Sequence, residues 1–185
     1  QAGLAGLVAP AVHTPGAKAA MLDELVLHGP PAGPSITLAH AAARAALSEI
    51  ARKVSFRAWR NPDEMRAGIT SGTMQLVVAP TITAANLYNR GLGLRLVNVM
   101  TNGLLHVVSA DSSLTTFAAL KGKRVALLFR NDTPDFVFHR LLRQHNLDGA
   151  RGMTLETTGT PIEAIQLLLA GRIDAALVPE PAGAA

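Results

Sequence analysis

From Ser35 onward the sequence alternates short apolar runs with helix-spaced segments joined by only a few residues, and this rhythm constrains the fold more than any other feature. A β-α-β-α order with short joints calls for parallel sheets covered by helices, because parallel neighbours need a crossover of helix length. Ser35 to Ala39 reads as a short strand, and Ala41 to Lys53 as a helix with Ala43, Leu47, Ile50 and Ala51 at helical spacing. Val54 to Trp59 alternates like a strand. Asn61 then caps a short helix, with Pro62 at its first position and Glu64 in its first turn, ending near Gly68. Met74 to Ala79 is a compact apolar strand, Pro80 breaks it, and Thr81 to Tyr88 forms a helix stopped by Gly91. The rhythm then repeats: Lys123 to Phe129 strand, Pro134 to His145 helix, Met153 to Thr157 strand, Pro161 to Leu169 helix with its stop at Gly171, and Ala175 to Val178 strand.

Between the two halves lie Leu94 to Met100 and Leu104 to Ala110, separated by Thr101-Asn102-Gly103. Asn-Gly between apolar runs signals a tight hairpin; the alternative is a kink where a strand leaves one sheet for another. Ahead of the rhythm, Leu27 to Pro34 holds Gly29, Pro30, Pro31, Gly33 and Pro34 and reads as a linker. Gln1 to Ala11 is small and apolar, like the tail of a signal-peptide apolar region with small-residue cleavage options near Ala11 or Ala17. Residues 1–34 are thus expected to be a signal-peptide remnant and linker.

The chain has no cysteine, which removes disulfides, thiolate metal sites and cysteine nucleophiles. Its formal charge is +4, but the 17 Lys and Arg are scattered and only 4% of residues are aromatic, so no nucleic-acid partner is expected. No nucleophile elbow, phosphate loop or zinc-protease motif is present, and Gly91-Leu-Gly93 follows a helix rather than opening one. None of the six histidines forms a locally spaced metal pair. Asp132 with Asp135, and Glu163 with Asp174, are carboxylate pairs, yet Asp132-Thr-Pro-Asp135 has the form of a helix start with Thr133 as cap. The reading is of a protein that is not an enzyme and carries no metal or cofactor.

Four segments carry a resemblance: Phe117-Ala-Ala-Leu-Lys-Gly-Lys-Arg-Val-Ala-Leu; Asn131-Asp-Thr-Pro-Asp-Phe; Leu141-Leu with Asn146-Leu-Asp; and Pro161-Ile-Glu-Ala-Ile-Gln through Gly171-Arg-Ile-Asp-Ala to Pro179-Glu-Pro181. In this order over Ile36 to Pro181 the chain resembles the nitrate, sulfonate and taurine group of ABC-transporter periplasmic solute-binding proteins, with their pyrimidine-precursor relatives. The resemblance implies an α/β fold of the periplasmic binding protein-like type II. Two parallel or mixed-sheet lobes are joined by a hinge, and a small solute lies between them. It implies lobe I over residues 35–103, a hinge crossing over 104–110, and lobe II over 111–185. Leu104 to Ala110 then becomes a crossing strand rather than half of a hairpin. A complete member is longer and crosses back to finish lobe I, so the chain is expected to be incomplete at its C-terminal end.

Carried onto this sequence, the resemblance places the solute against His40, Ala41, Thr81, Thr101, Asn102, Asp132, Thr133 and Glu180, with Ala79 and Pro80 alongside. Thr81 and Thr133 are the principal contacts, one from each lobe. Each segment is expected where a strand hands its carboxyl end to a helix or hinge, where open sheets place ligands and helix amino ends offer free amides. The implied partners are a small-molecule solute and the membrane permease of an ABC importer, for a monomer in the periplasm or exported to the membrane surface. One departure bears on the solute. Asn131-Asp132 stands where many relatives have glycine and serine, and a carboxylate beside an anion costs on the order of 1 kcal/mol or more. That disfavours nitrate or a sulfonate and leaves a neutral or partly cationic, pyrimidine-like solute as the alternative. The alternatives are an enzyme on the same two-lobe fold, whose pyrimidine-synthesising relatives use a cysteine-rich motif and a histidine, and a regulator's ligand-sensing domain, which needs a helix-turn-helix that the Gly/Pro-rich start does not form.

Overall fold

The computed structural model describes residues 20–147 and 152–184. Among these residues two sheets account for seven strands. In the first, β1 (Leu22–Gly29) lies between β2 (Ala51–Ala58) and β3 (Leu76–Val77), all parallel. In the second, β4 (Leu105–Val108), β7 (Ala175–Pro179), β5 (Arg124–Leu128) and β6 (Thr154–Thr158) lie in that order, with β4 antiparallel to β7 and the rest parallel. Five helices cross between strands: α1 (Pro34–Ala43), α2 (Pro62–Thr70), α3 (Thr81–Asn89), α4 (Thr133–Gln144) and α5 (Pro161–Leu169). The architecture is α/β with one parallel and one mixed sheet, as expected.

The second sheet is buried on both faces, and its strands show the period of two that such burial requires. Val125, Leu127, Ala175 and Leu177 pack with Phe138 and Leu142 of α4. The alternate residues Ala126, Leu128, Ala176 and Val178 pack with Ala164 and Leu168 of α5. The first sheet's cluster joins Trp59, Met65, Ile69 and Leu87, with Phe129 from the second half packed against it.

Two motifs of the resemblance meet in a structural clamp. Asp174, in Gly171-Arg-Ile-Asp174, accepts from the Arg124 backbone N–H at 2.7 Å and from its guanidinium at 2.9 and 3.2 Å. This ties the start of β5 to the start of β7. The Arg124 side chain, then its backbone N–H, hold the Asp174 pKa down from 3.8 to about 2, against the opposing effect of burial. Because the folded value lies below the unfolded one, the unfolded state binds the extra proton between them. The clamp's contribution is therefore full above about pH 4 and is lost as pH falls toward 2. Asp174→Asn should lower stability at pH 7 by on the order of 1 kcal/mol, solvent screening included. Urea midpoints followed from pH 5 to 2.5 should fall less steeply in the variant than in the parent.

The region before Trp59 differs from the sequence reading. Leu27 to Gly29 belong to the central strand β1 rather than to a linker, so the first unit begins at Leu22 and not at residue 35. The Gly/Pro cluster that breaks regular structure starts only at Pro30. Gly29 ends β1 directly beneath Ser35, where a Cβ would collide with the Ser35 side chain. Ser35 to Ala39 is helix, not strand: Pro34 sits at the start of α1, which suits its fixed φ and missing donor, and this outweighs the strand preference of Ile36 and Thr37. The helix ends at Ala43 instead of continuing to Lys53. Ala45 takes φ 51°, and Lys53 lies in β2 opposite Glu24, to which its Nζ bonds at 2.8 Å. The signal-like residues 1–19 lie outside the described residues.

Leu94 to Met100 forms no strand, and its backbone has no ladder partner among the described residues. Leu96 and Val97 are each 78% exposed. A hairpin across Asn102-Gly103 is therefore not formed; Gly103 takes φ 72°, and the following strand, β4, pairs with β7 of the second sheet.

Candidate functional site

The carboxyl ends of the two sheets meet. Each strand of the first sheet runs into a helix amino end: β1 into α1, β2 through Trp59 into α2, β3 through Pro80 into α3. In the second, β5 runs into α4 and β6 into α5. Four contacts join these edges. The Gly33 N–H donates to the Glu180 carbonyl at 2.8 Å. Trp59 and Phe129 lie 6.0 Å apart with rings tilted by 56°. The Thr83 hydroxyl donates to Asp132 Oδ2 at 2.8 Å, and Arg66 Nη2 reaches the same oxygen at 3.3 Å. Open α/β sheets bind ligands outside such strand ends.

Asp132 is the centre of this junction and is fully buried. It, rather than Thr133, is the N-cap of α4: its Oδ1 accepts from the Thr133 N–H at 2.7 Å, and its carbonyl accepts from Phe136 N–H at 3.1 Å. Arg66 is shared with Asp63 at 3.0 Å. Thus both carboxylate oxygens are engaged by the chain itself. The turn leading to Asp132 is strained, with Phe129 at φ 54° and Asn131 at φ 60°. Asn tolerates that region; Phe does not, at about 1–3 kcal/mol, and is held there by packing against Trp59. Strain of this kind clusters where side chains must be aimed for function.

Other expected site residues fall in three groups. Thr81 is the first residue of α3 and exposed, while Thr133, the first of α4, has a buried hydroxyl with no hydrogen-bond partner among the described residues. The Thr83–Asp132 bond brings these two first turns together. Glu180 follows β7; its carboxylate is about half exposed, 3.9 Å from His106 Nε2. His40 and Ala41 do not lie at a strand end. They are in the last turn of α1, with His40 exposed, because the helix starts seven residues earlier than its propensity pattern implies. Thr101 and Asn102 are exposed beside Gly103 and end no strand.

Of the remaining paired carboxylates, Glu163 and Asp135 serve helix starts, while Asp174 belongs to the Arg124 clamp. Glu163 accepts from Gly159 N–H at 2.8 Å, the residue before the N-cap, while its own N–H donates to the N-cap Thr160 Oγ1 at 3.1 Å. Asp135 accepts from Asn131 N–H at 2.9 Å and lies 3.3 Å from His139 Nε2. Among the described residues no three His, Asp or Glu side chains form a metal-sized cluster. No helix there is long and apolar enough to cross a membrane.

Sequence reasoning missed Arg66, Thr83 and His28. His28 is buried at the end of β1 with Nδ1 unpartnered among the described residues, and burial, aided by the Arg57 charge, pushes its pKa below the ordinary imidazole value. Its signal was available: a lone His before Gly-Pro-Pro at the end of an apolar run.

Solved structures share this architecture. The alkanesulfonate-binding protein SsuA from Xanthomonas axonopodis bound to MOPS superposes with a TM-score of 0.61 at 24% identity, over 88% of this chain and 56% of that one. The ligand binding component of an ABC-type import system from Staphylococcus aureus, with zinc bound, gives a TM-score of 0.70 at 13% identity, over 88% of this chain and 56% of that one. PhnD1 from Prochlorococcus marinus in complex with methylphosphonate gives 0.60 at 14% identity, over 85% and 64%. At these identities the likeness is one of fold, and the chain spans 56–64% of the length of those proteins. No curated protein sequence matches it. The family model for the periplasmic phosphonate substrate-binding protein of ABC transporters matches residues 40–183. With the fold, the meeting strand ends and this match together, the chain belongs to the family of periplasmic substrate-binding proteins of phosphonate-type ABC transporters.

Proposed function

We propose that this chain captures a small solute between its two sheet units and presents it to the membrane permease of an ABC importer. The observation that carries the reading is the meeting of the α3 and α4 first turns at the carboxyl ends of the two sheets. Thr81 and the buried Thr133 hydroxyl, which has no partner among the described residues, offer donors to one solute from opposite units, with Glu180 and His106 beside the Gly33 turn. Lobe I comprises the first sheet and its helices, β4 serves as the hinge crossing, and lobe II is the second sheet with α4 and α5. Family membership supports a periplasmic location and a solute among the polar classes that relatives bind, including sulfonates and phosphonates.

The test is thermal unfolding of the 185-residue chain against sulfonates, methylphosphonate, nitrate, bicarbonate, taurine, amino acids and pyrimidines. Mass action predicts a saturable rise of about 5–10 °C for one class at a hundredfold excess over its dissociation constant. A flat response to every class contradicts solute capture.

A further inference from the structure

We propose that Asp132 is a built-in ligand: its carboxylate fills the oxyanion position between the two units and bars a solute carboxylate, phosphonate or sulfonate from that position. This deepens the solute-capture reading and rests on it. Three kinds of donor converge on the one side chain. The α4 amide of Thr133 bonds Oδ1 at 2.7 Å, while the Thr83 hydroxyl at 2.8 Å and the Arg66 guanidinium at 3.3 Å bond Oδ2. Arg66 and Thr83 come from α2 and α3 of the first unit, and Asp132 from the second. A guanidinium, a hydroxyl and a helix amino-end N–H form the donor set that holds a free oxyanion. Here the chain supplies the anion itself, and the side chain is 0% exposed.

The consequence follows from charge and tethering. A carboxylate fixed to the α4 N-cap acts at a high effective concentration, so a free anion has to displace it. Placing a second anion beside it instead brings like charges to contact distance in a site shielded from water, which is unfavourable. The solute group nearest this junction is accordingly neutral or cationic. The same carboxylate holds the units together without any solute.

Removing the side chain empties the donor set and makes it titratable. Asp132→Gly should lose stability, and sodium formate or methylphosphonate should restore it saturably. The expected rise is about 3–6 °C at a tenfold excess over the dissociation constant, relative to sodium chloride of matched ionic strength. The parent should gain less from these anions than the glycine variant does, and adding Thr83→Ala to Asp132→Gly should weaken the rescue. If the glycine variant does not fold, Asp132→Ser retains a cap at α4 and gives the same reading. A folded variant that formate and methylphosphonate leave unchanged overturns the proposal. So does a parent that either anion stabilises as strongly as it stabilises the glycine variant. Failure of rescue leaves the solute screen of the parent readable, and a flat solute screen leaves the rescue readable.

Discussion

Replacing Trp59 by alanine should cost about 3–5 kcal/mol of stability, the range for truncating a large buried aromatic. The side chain is 1% exposed and is the largest in the first unit's core, among Met65, Ile69 and Leu87. Its loss acts three ways. A cavity opens where no neighbour collapses fully, the Val78 carbonyl loses the indole N–H that donates to it at 3.1 Å, and Phe129 loses the ring that holds it at φ 54°. The last effect reaches the second unit, because Phe129 leads into the turn that carries Asp132. Trp59→Phe keeps most of the packing but leaves the Val78 carbonyl without its donor, and should cost about 1–3 kcal/mol. Chemical denaturation of the three proteins gives both values. A cost below about 1 kcal/mol for the alanine variant would mean that the Trp59 cluster does not hold the first unit together.

Much of the second unit was legible because its signals are local and agree with one another. Pro161 to Leu169 is helix from end to end as its Thr160 cap, proline start and Gly171 stop require, and β5 and β7 follow their apolar runs. Asn61 caps α2 through Glu64 N–H for the same reason. The first strand was lost because Leu22 to Gly29 is only partly buried, runs straight into a Gly/Pro cluster, and follows an apolar start. Its strand character comes from pairing with β2 and β3, residues far along the chain. One displaced element then moved the next two, which put His40 and Ala41 at a strand end that does not exist. Thr81, Asp132 and Thr133 were named by the resemblance, and they stand at helix starts that Pro80 and Pro134 mark in the sequence. Arg66 and Thr83 were not, since they lie 66 and 49 residues from Asp132 and only the fold brings them there.

The double substitution Thr81→Ala with Thr133→Ala should remove solute binding while leaving the unliganded protein almost as stable as its parent. Thr81 is exposed, and the Thr133 hydroxyl has no partner to lose among the described residues. Neither side chain caps its helix; those positions belong to Pro80 and Asp132. The unliganded midpoint should therefore move by no more than about 0.5 kcal/mol. A solute bridging the two first turns loses a hydrogen bond to each unit. At about 0.5–1.5 kcal/mol for each neutral bond, and more where a buried solute group is left unpaired, affinity should fall by roughly tenfold to a thousandfold.

Isothermal titration of the parent and the Thr81→Ala, Thr133→Ala variant, side by side with whichever solute raises the parent's melting temperature, tests the central claim most directly. The account predicts saturable, one-to-one binding by the parent and a loss of at least about tenfold in affinity for the variant, with the unliganded melting temperature unchanged. Equal affinity in the two proteins would place the solute elsewhere and contradict capture between the α3 and α4 first turns.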